Sequence, residues 1–516
     1  MKSFDAIIIG AGHNGLAAAA LLASGGRKVL VCETADGPGG MARELAFAPG
    51  FKAPGLAGWS DSLSPGLIRK LALERHGLKR ATTPGTLTAL AAGTSPLMLS
   101  ANYETLPSTD LTGNRDEWSE LLARLGFQAS ILARFLETVP PGPGASTWPA
   151  RRQALTAGLK LRLGGKEELR QFLRMILMPV WDIADEVVRD ERLKGLLGSD
   201  ATLGTALGPR SPTSILGLYY RLALARRDQD RNPVLVSTLG PALEASAKAA
   251  GVEIRYGAGV ASILVENRSV TGVVTTGGET FKAGTVLSAV HPARTILELA
   301  GPVHFDAGLV RDIRNMRSKG NVSKMLLALD KLPAFEGVGA RQLSGRLVAA
   351  GTSDEVERSY NPSKYGELPA NPPLHITIPS IGDSALAPAG AAVVSVTIQN
   401  TAHDLREGWK KGVPRLEKTV MNKLEGLSPG ISRSVVSSQL MTPVDIASQF
   451  ATPGGHWHHG EFQVDRLYSL RPVFGLGGYA TPLKGLWLCG AGTHPGGGLN
   501  ATSAMNAVSA IKAAGG

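Results

Sequence analysis

Cysteine is nearly absent: two in 516 residues, Cys32 and Cys489. With no CxxC spacing, dithiol redox chemistry is excluded, and a thiolate metal cage lacks ligands. Both lie in apolar strand-like runs, VLVC and LWLC, and read as buried thiols acting as small hydrophobes. Their scarcity suits a reducing compartment. Acidic residues are also in deficit, 43 against 54 Lys and Arg, for a formal charge of +11. That surplus is diffuse and lacks interleaved aromatics, so nothing marks a nucleic-acid binder. It leaves a solvated surface, an anionic cofactor or an anionic membrane surface. No run reaches the roughly 18 apolar residues a spanning helix needs. MKSF leads straight into DAIIIG, leaving no room for a targeting segment, so the expected location is cytoplasmic. Hydrophobic content of 43% and length allow two ordinary domains with ample core.

Glycine is what the chain has in plenty. The apolar run Ala6 to Ile9 predicts a parallel strand buried on both faces. G-A-G-H-N-G follows, placing Gly10, Gly12 and Gly15 in GxGxxG spacing before an alanine-rich helix, Leu16 to Leu22. Gly10 permits a tight turn, Gly12 a close backbone approach to a pyrophosphate, and Gly15 tight packing of helix on strand. The helix N-terminus offers free N–H groups to phosphates. A second strand, Val29 to Cys32, ends at Glu33, whose carboxylate can accept hydrogen bonds from ribose hydroxyls. Strand, glycines, helix and acid together predict dinucleotide binding. The paired Gly39 and Gly40 soon after the acid suit FAD, whose flavin continues past the pyrophosphate. His13 reads as a polar residue near the phosphates without a proton-transfer role.

A helix from Pro241 to Ala250 and strands at 252–255, 260–266, 270–275 and 285–289 follow in mid-chain. The turn Gly257 to Val260 could bring the Val260 backbone to an adenine edge. The chain then ends as it began. An apolar strand, Leu486 to Cys489, enters a loop holding Gly490, Gly492, Gly496, Gly497 and Gly498, followed by a small-residue helix from about Asn500 to Ile511. Its amides would face a group that turns negative, as the N1–C2=O edge of a flavin does on reduction. PPGPGAS (140–146) and SYNPSKYGELPANPP (359–373) read as loops.

GAGHNG, the paired glycines, the GAGV segment and GAGTHPGGG together resemble the phytoene desaturase family of FAD-dependent oxidoreductases, and within it the branch of pyridine nucleotide-disulphide oxidoreductase domain-containing proteins. GFKAP, SDATLGTALGPRSPTS, LAPAGAAVVSVTIQ and PGGHWHHGEFQVDRLYSLRPV match that branch in order, so the resemblance covers nearly the whole chain. It implies an α/β architecture: a Rossmann-type FAD-binding domain of the glutathione-reductase-like kind, with an interleaved α+β substrate domain. The first would be built from 1–75, 232–300 and 465–516, the second from 76–231 and 301–464. By similarity Gly10, Gly12, His13, Asn14, Gly15, Glu33, Gly39, Gly40, Arg43, Val260, Gly490, Gly492, Thr493, Gly498, Leu499 and Asn500 would line FAD. Two positions depart from the family pattern: Met41 stands where many relatives have Arg, and Ala491 where many have Asp.

Residues 151–181 carry seven Lys and Arg against two Glu, with Leu169, Phe172, Leu173, Ile176 and Leu177 on one helical face up to Pro179. This describes a helix packed on a core, or one lying on a membrane surface. His456, His458 and His459 cluster beside Trp457 and Glu461. The resemblance asks for no metal, and His459 is the first candidate for a catalytic base or orienting group. The implied reaction is hydride transfer from a C–H bond of a largely apolar small molecule to flavin N5. A structural flavoprotein and an amine-oxidising relative stay open as alternatives.

Overall fold

The computed structural model describes residues 2–515 except 61, 108, 143–147 and 226–231. Ala6–Ile9 forms a strand with every residue buried. It lies at the centre of a five-stranded parallel sheet in the order Leu486–Leu488, Val286–Ser288, Ala6–Ile9, Val29–Cys32, Glu253–Arg255. Register is set by unbroken apolar pairs, Ile8 against Val31 on one side and Leu287 on the other. Parallel strands need covered faces. One face is packed by the helices His13–Ala23, Val236–Ala249 and Thr502–Ala513, whose alanines and leucines share one core with the sheet. All five strands fall within 1–75, 232–300 and 465–516, so the sheet is a product of three distant segments.

A smaller sheet covers the other face: Lys2–Ser3, Thr280–Lys282, Ser269–Thr275 and Val260–Glu266. The second large sheet has seven strands in the order Val435–Met441, Val322–Leu329, Ala392–Gln399, Leu374–Thr377, Arg346–Ala349, Thr86–Ala89, Leu97–Ser100. Only the pairing of Arg346–Ala349 with Thr86–Ala89 is parallel. The helices Arg115–Leu136, Glu191–Thr202 and Ile215–Ala225 pack on its Thr86–Ser100 end.

Two expectations change in detail and a third lies mostly outside the described residues. The basic stretch 151–181 is not one helix but three pieces: Trp148–Leu163, Lys166–Met175 and the start of Val180–Val187. Gly165, at φ +110°, breaks the first joint, and Pro179 caps the third piece. Leu169 and Phe172 pack on Ile131, whereas Leu173 and Leu177 are exposed, so the single face dissolves. Within 359–373, residues 359–363 are helical, because Thr352 and Glu355 form a capping box that starts a helix at Ser353. Of the loop expected at 140–146, residues 143–146 lie outside the described residues.

Candidate functional site

Both glycine-rich turns open onto one cavity of about 380 Å³, which runs from Glu33 and Val260 past Gly498 and His459 to Tyr103 and Arg346. The helix His13–Ala23 begins three residues earlier than its apolar pattern, capped by Gly12 with no side-chain bond, so its first donors face the cavity bare. A Cβ at Gly15 would stand 1.9 Å from the Gly10 carbonyl oxygen, which is why only glycine lets helix and strand approach there. Gly40, at φ +58°, meets the first loop backbone to backbone, with space for a Cβ only 2.9 Å from Gly12 Cα. Glu33 lines the cavity, yet its carboxylate already accepts the amides of Ala11 at 2.5 Å and Ala35 at 2.8 Å. It shapes the loop while still lining the cavity. The Ala258 amide bonds back to the Glu33 carbonyl at 2.8 Å, seating Val260 at the rim.

Of the residues expected at a cofactor, Gly10, Gly12, His13, Asn14, Gly15, Glu33, Gly40, Arg43, Val260, Gly498 and Leu499 line this cavity, as do Met41 and Ala491. Gly39, Gly490, Gly492, Thr493 and Asn500 stand behind its wall. Gly39 pairs with Gly12. Gly490 crosses the Ala289 carbonyl, Gly492 packs on Pro292, and Thr493 bonds its hydroxyl to the Gly490 carbonyl at 2.8 Å. The final helix starts at Thr502 with Ala501 as its cap, and its first donor is already taken, because the Thr502 amide donates to Asn500 Oδ1 at 2.9 Å.

The two ends of the chain meet here. The ring of His13 interacts with the Gly498 backbone, and burial lowers its pKa to about 4. His13 Nε2 and Asn14 Oδ1 are buried without a protein partner. Bare helix donors, orphaned polar atoms and a backbone-lined trough fit a dinucleotide.

Beyond Gly498 the cavity takes on an apolar lining. Trp59, Leu203, Tyr220, Leu224 and Phe462 form its apolar walls. Tyr220 donates to the Gly497 carbonyl at 2.8 Å, and its ring lies 4.5 Å from Phe462. His459 lines the wall with Nδ1 buried and unpartnered, 5.5 Å from His291. Burial, aided by the Arg471 charge, lowers its pKa to about 3, so the ring is neutral but a weak base. His458 and His291 are likewise pushed down by burial. Among the described residues no group of three or more His, Cys, Asp or Glu could hold a metal ion. Both cysteines are buried, and burial raises their thiol pKa to about 12.

Two cations were not foreseen from sequence. Arg471 is buried and donates to five carbonyls, those of His458, Gly460, Glu461, Ala491 and Thr493. Burial lowers its pKa to about 10, and it ties the histidine segment to the terminal loop. Lys324 sits in a strand buried at every residue, its Nζ 3.1 Å from Thr397 Oγ1, and burial lowers its pKa to about 7. A Cβ built on Gly58, at the cavity wall, would lie 3.4 Å from that nitrogen. A lone Lys inside VSKMLLAL was the available signal.

Residues 8–66 match the NAD(P)-binding Rossmann-like domain family. The chain is 30% identical to pyridine nucleotide-disulfide oxidoreductase domain-containing protein 2 of Rattus norvegicus, covering 98% of this chain and 92% of that one. It is 25% identical to hydroxyneurosporene desaturase of Cereibacter sphaeroides, over 98% and 97% of the two chains. A solved oxidoreductase from Methanosarcina mazei shares the fold at TM-score 0.60 and 18% identity, over 99% of this chain and 100% of that one. The chain is an FAD-dependent oxidoreductase. It belongs to the family of pyridine nucleotide-disulfide oxidoreductase domain-containing protein 2.

Proposed function

We propose that the chain removes a hydride from a C–H bond of a largely apolar organic molecule, with loss of a proton from the neighbouring carbon, leaving a C=C bond. The observation that carries this is the continuity of the cavity: a polar backbone trough opens directly into an apolar chamber. FAD, when bound, supplies the two-electron acceptor. Gly10 to Gly15, Glu33, Arg43 and Val260 would hold its ADP half, and Gly498 and Leu499 its flavin end. The chain's own part is to orient the substrate and exclude water. Trp59, Leu203, Leu224 and the Tyr220–Phe462 pair present apolar surface to it. Neutral His459, with an unpartnered ring nitrogen, orients a polar group better than it accepts a proton, because its pKa is far from neutral pH. Lys324, with its pKa near 7, stands behind Gly58 and outside the cavity lining, so it acts on the chamber through its charge and not by touching substrate. Arg471 places a fixed positive charge behind the terminal loop, which favours charge developing on that side.

Amine oxidation is less well supported, since the Tyr220 and Phe462 rings contact each other and leave no slot for an amine between them. Photoreducing the purified flavoprotein and following its reoxidation by oxygen and by quinones tests the proposal. Flavin inert to both acceptors would instead support a purely structural role. We place the protein in the cytoplasm, working on a small molecule and not on nucleic acid. No helix among the described residues is long and apolar enough to cross a membrane. Leu155, Leu159 and Leu163, spaced by four and 57–76% exposed, support peripheral membrane contact through 151–181. Flotation with anionic vesicles checks that contact, and a triple Leu→Ser variant should stay at the bottom of the gradient.

A further inference from the structure

The chamber beyond the trough is apolar on its walls but not at its end. Asp200 is buried there in the helix Glu191–Thr202, and Arg346 reaches it from the second sheet through both guanidinium nitrogens. The Tyr103 hydroxyl adds a third bond to the same carboxylate at 2.7 Å. Three side-chain bonds thus hold the Asp200 carboxylate in place.

Arg221 lies beside it: against the effect of burial, its charge joins that of Arg346 in holding the Asp200 carboxyl down, but neither carboxylate oxygen accepts a bond from it. Gly217, four residues earlier on the helix Ile215–Ala225, lets this helix press on its neighbour: a Cβ there would stand 1.9 Å from the Ala201 carbonyl oxygen. The close approach brings Arg221 Nε to 2.9 Å from the Asp200 main-chain carbonyl. Among the described residues no carboxylate oxygen accepts a bond from Arg221, and its remaining four N–H donors have no hydrogen-bond partner. The guanidinium lines the same cavity as Tyr220 and Leu224, on the same helix face, and its charge reaches His458. A cation in an apolar chamber, held at Nε with its fork unpaired, is built to receive a planar anion.

We infer that the substrate carries a carboxylate on its apolar body, seated on Arg221, with the carbon chain directed along the Tyr220 face toward the flavin position. This deepens the proposed function and rests on it for the identity of the site. It excludes an uncharged hydrocarbon as the preferred ligand, and a cationic amine more strongly.

Three probes of one length decide it: dodecanoate, 1-dodecanol and dodecylamine, titrated into the purified holoprotein at submicellar concentration. Binding is read by flavin absorbance and, independently, by tryptophan fluorescence, since Trp59 lies under Arg346 at the chamber end. Dodecanoate should bind about tenfold or more tighter than 1-dodecanol, with dodecylamine weakest. Arg221→Gln should remove that preference while leaving 1-dodecanol unchanged, and Arg221→Lys should keep part of it. Equal binding of dodecanoate and 1-dodecanol by the natural protein, or preference for the amine, overturns the inference without any variant. A protein that lacks flavin yet still prefers dodecanoate by fluorescence would retain the anion site and sink the oxidoreductase reading. Flavin present with no such preference does the reverse.

Discussion

At the scale of single residues, the glycines of the terminal loop divide into two physical kinds. Gly498 has φ +98° and a Cβ position whose nearest atoms are at 3.4 and 3.9 Å, so its side chain would point into the cavity with room in the protein. Gly490 has none: a Cβ would meet the Ala289 carbonyl oxygen at 2.4 Å. Gly498→Ala should therefore lower flavin occupancy severalfold at a modest strain cost of about 1–2 kcal/mol. Gly490→Ala should lower the unfolding midpoint, by about 2 kcal/mol or more, before occupancy is considered. Flavin absorbance per protein, set against urea midpoints, separates the two. Lys324 makes a second residue-level prediction. Its folded pKa of about 7 lies below the ordinary 10.5. As pH falls from 10.5 toward 7 the unfolded chain takes a proton that the folded chain refuses, so stability falls through that window and is level below it. Lys324→Met should then gain roughly 2–4 kcal/mol at pH 7, shrinking to little at pH 10.5. An equal gain at both pH values would show that the amine is not the cause. Glu33 shows how far such residues were legible in sequence. Its position at the end of a strand was readable from spacing, but its bonds to Ala11 and Ala35 depend on a loop whose path only tertiary packing fixes.

At the scale of elements, legibility follows how local the determinants are. The strand Val260–Glu266 has the bounds its alternation predicts, because period and turn both lie within it. The helix Val236–Ala249 starts five residues before Pro241, since a proline near a helix N-terminus loses few bonds and need not mark the start. The three pieces of 151–181 look like one helix when only period is scored, and the Gly164–Gly165 pair was the overlooked break. Arg221 and Asp200 gave no signal at all, being 21 residues apart and joined only when two helices pack. The terminal helix Thr502–Ala513 packs Ala504, Ala507 and Ile511, at most 1% exposed, into the core shared with His13–Ala23. Removing residues 513–516, beyond that contact, should leave flavin and stability unchanged. Deleting from Asn500 onward should yield aggregate or flavin-free protein, because it strips one wall from the first core. Size-exclusion profiles recorded at 280 and 450 nm distinguish the outcomes, and a flavin-replete monomer of the longer deletion would show the helix to be dispensable.

For the molecule as a whole, the cavity belongs to no single stretch of chain. Gly12 and His13 come from the beginning, Val260 from the middle, Gly498 and Leu499 from the end, and the chamber end from the second sheet. An assembly of this kind has a thermodynamic consequence. The trough exists only when all three segments are docked, so a ligand spanning it binds the folded state and not the unfolded chain. Its free energy then adds to folding by mass action, about 2.7 kcal/mol at a free concentration one hundred times Kd. Apoprotein prepared by mild removal of flavin should unfold at lower urea, and its midpoint should climb with the logarithm of added FAD above Kd. ADP alone should give part of that climb, because the Gly10–Gly15 and Glu33 end is complete without the flavin. Riboflavin alone should give much less, since its share of the cavity depends on the terminal loop, which His13 joins to the first. Midpoints independent of FAD across two decades above its measured affinity would mean that the trough is already formed and bound in the unfolded ensemble, or that FAD binds elsewhere. Either result would break the link between the docking of the chain's two ends and the holding of its cofactor.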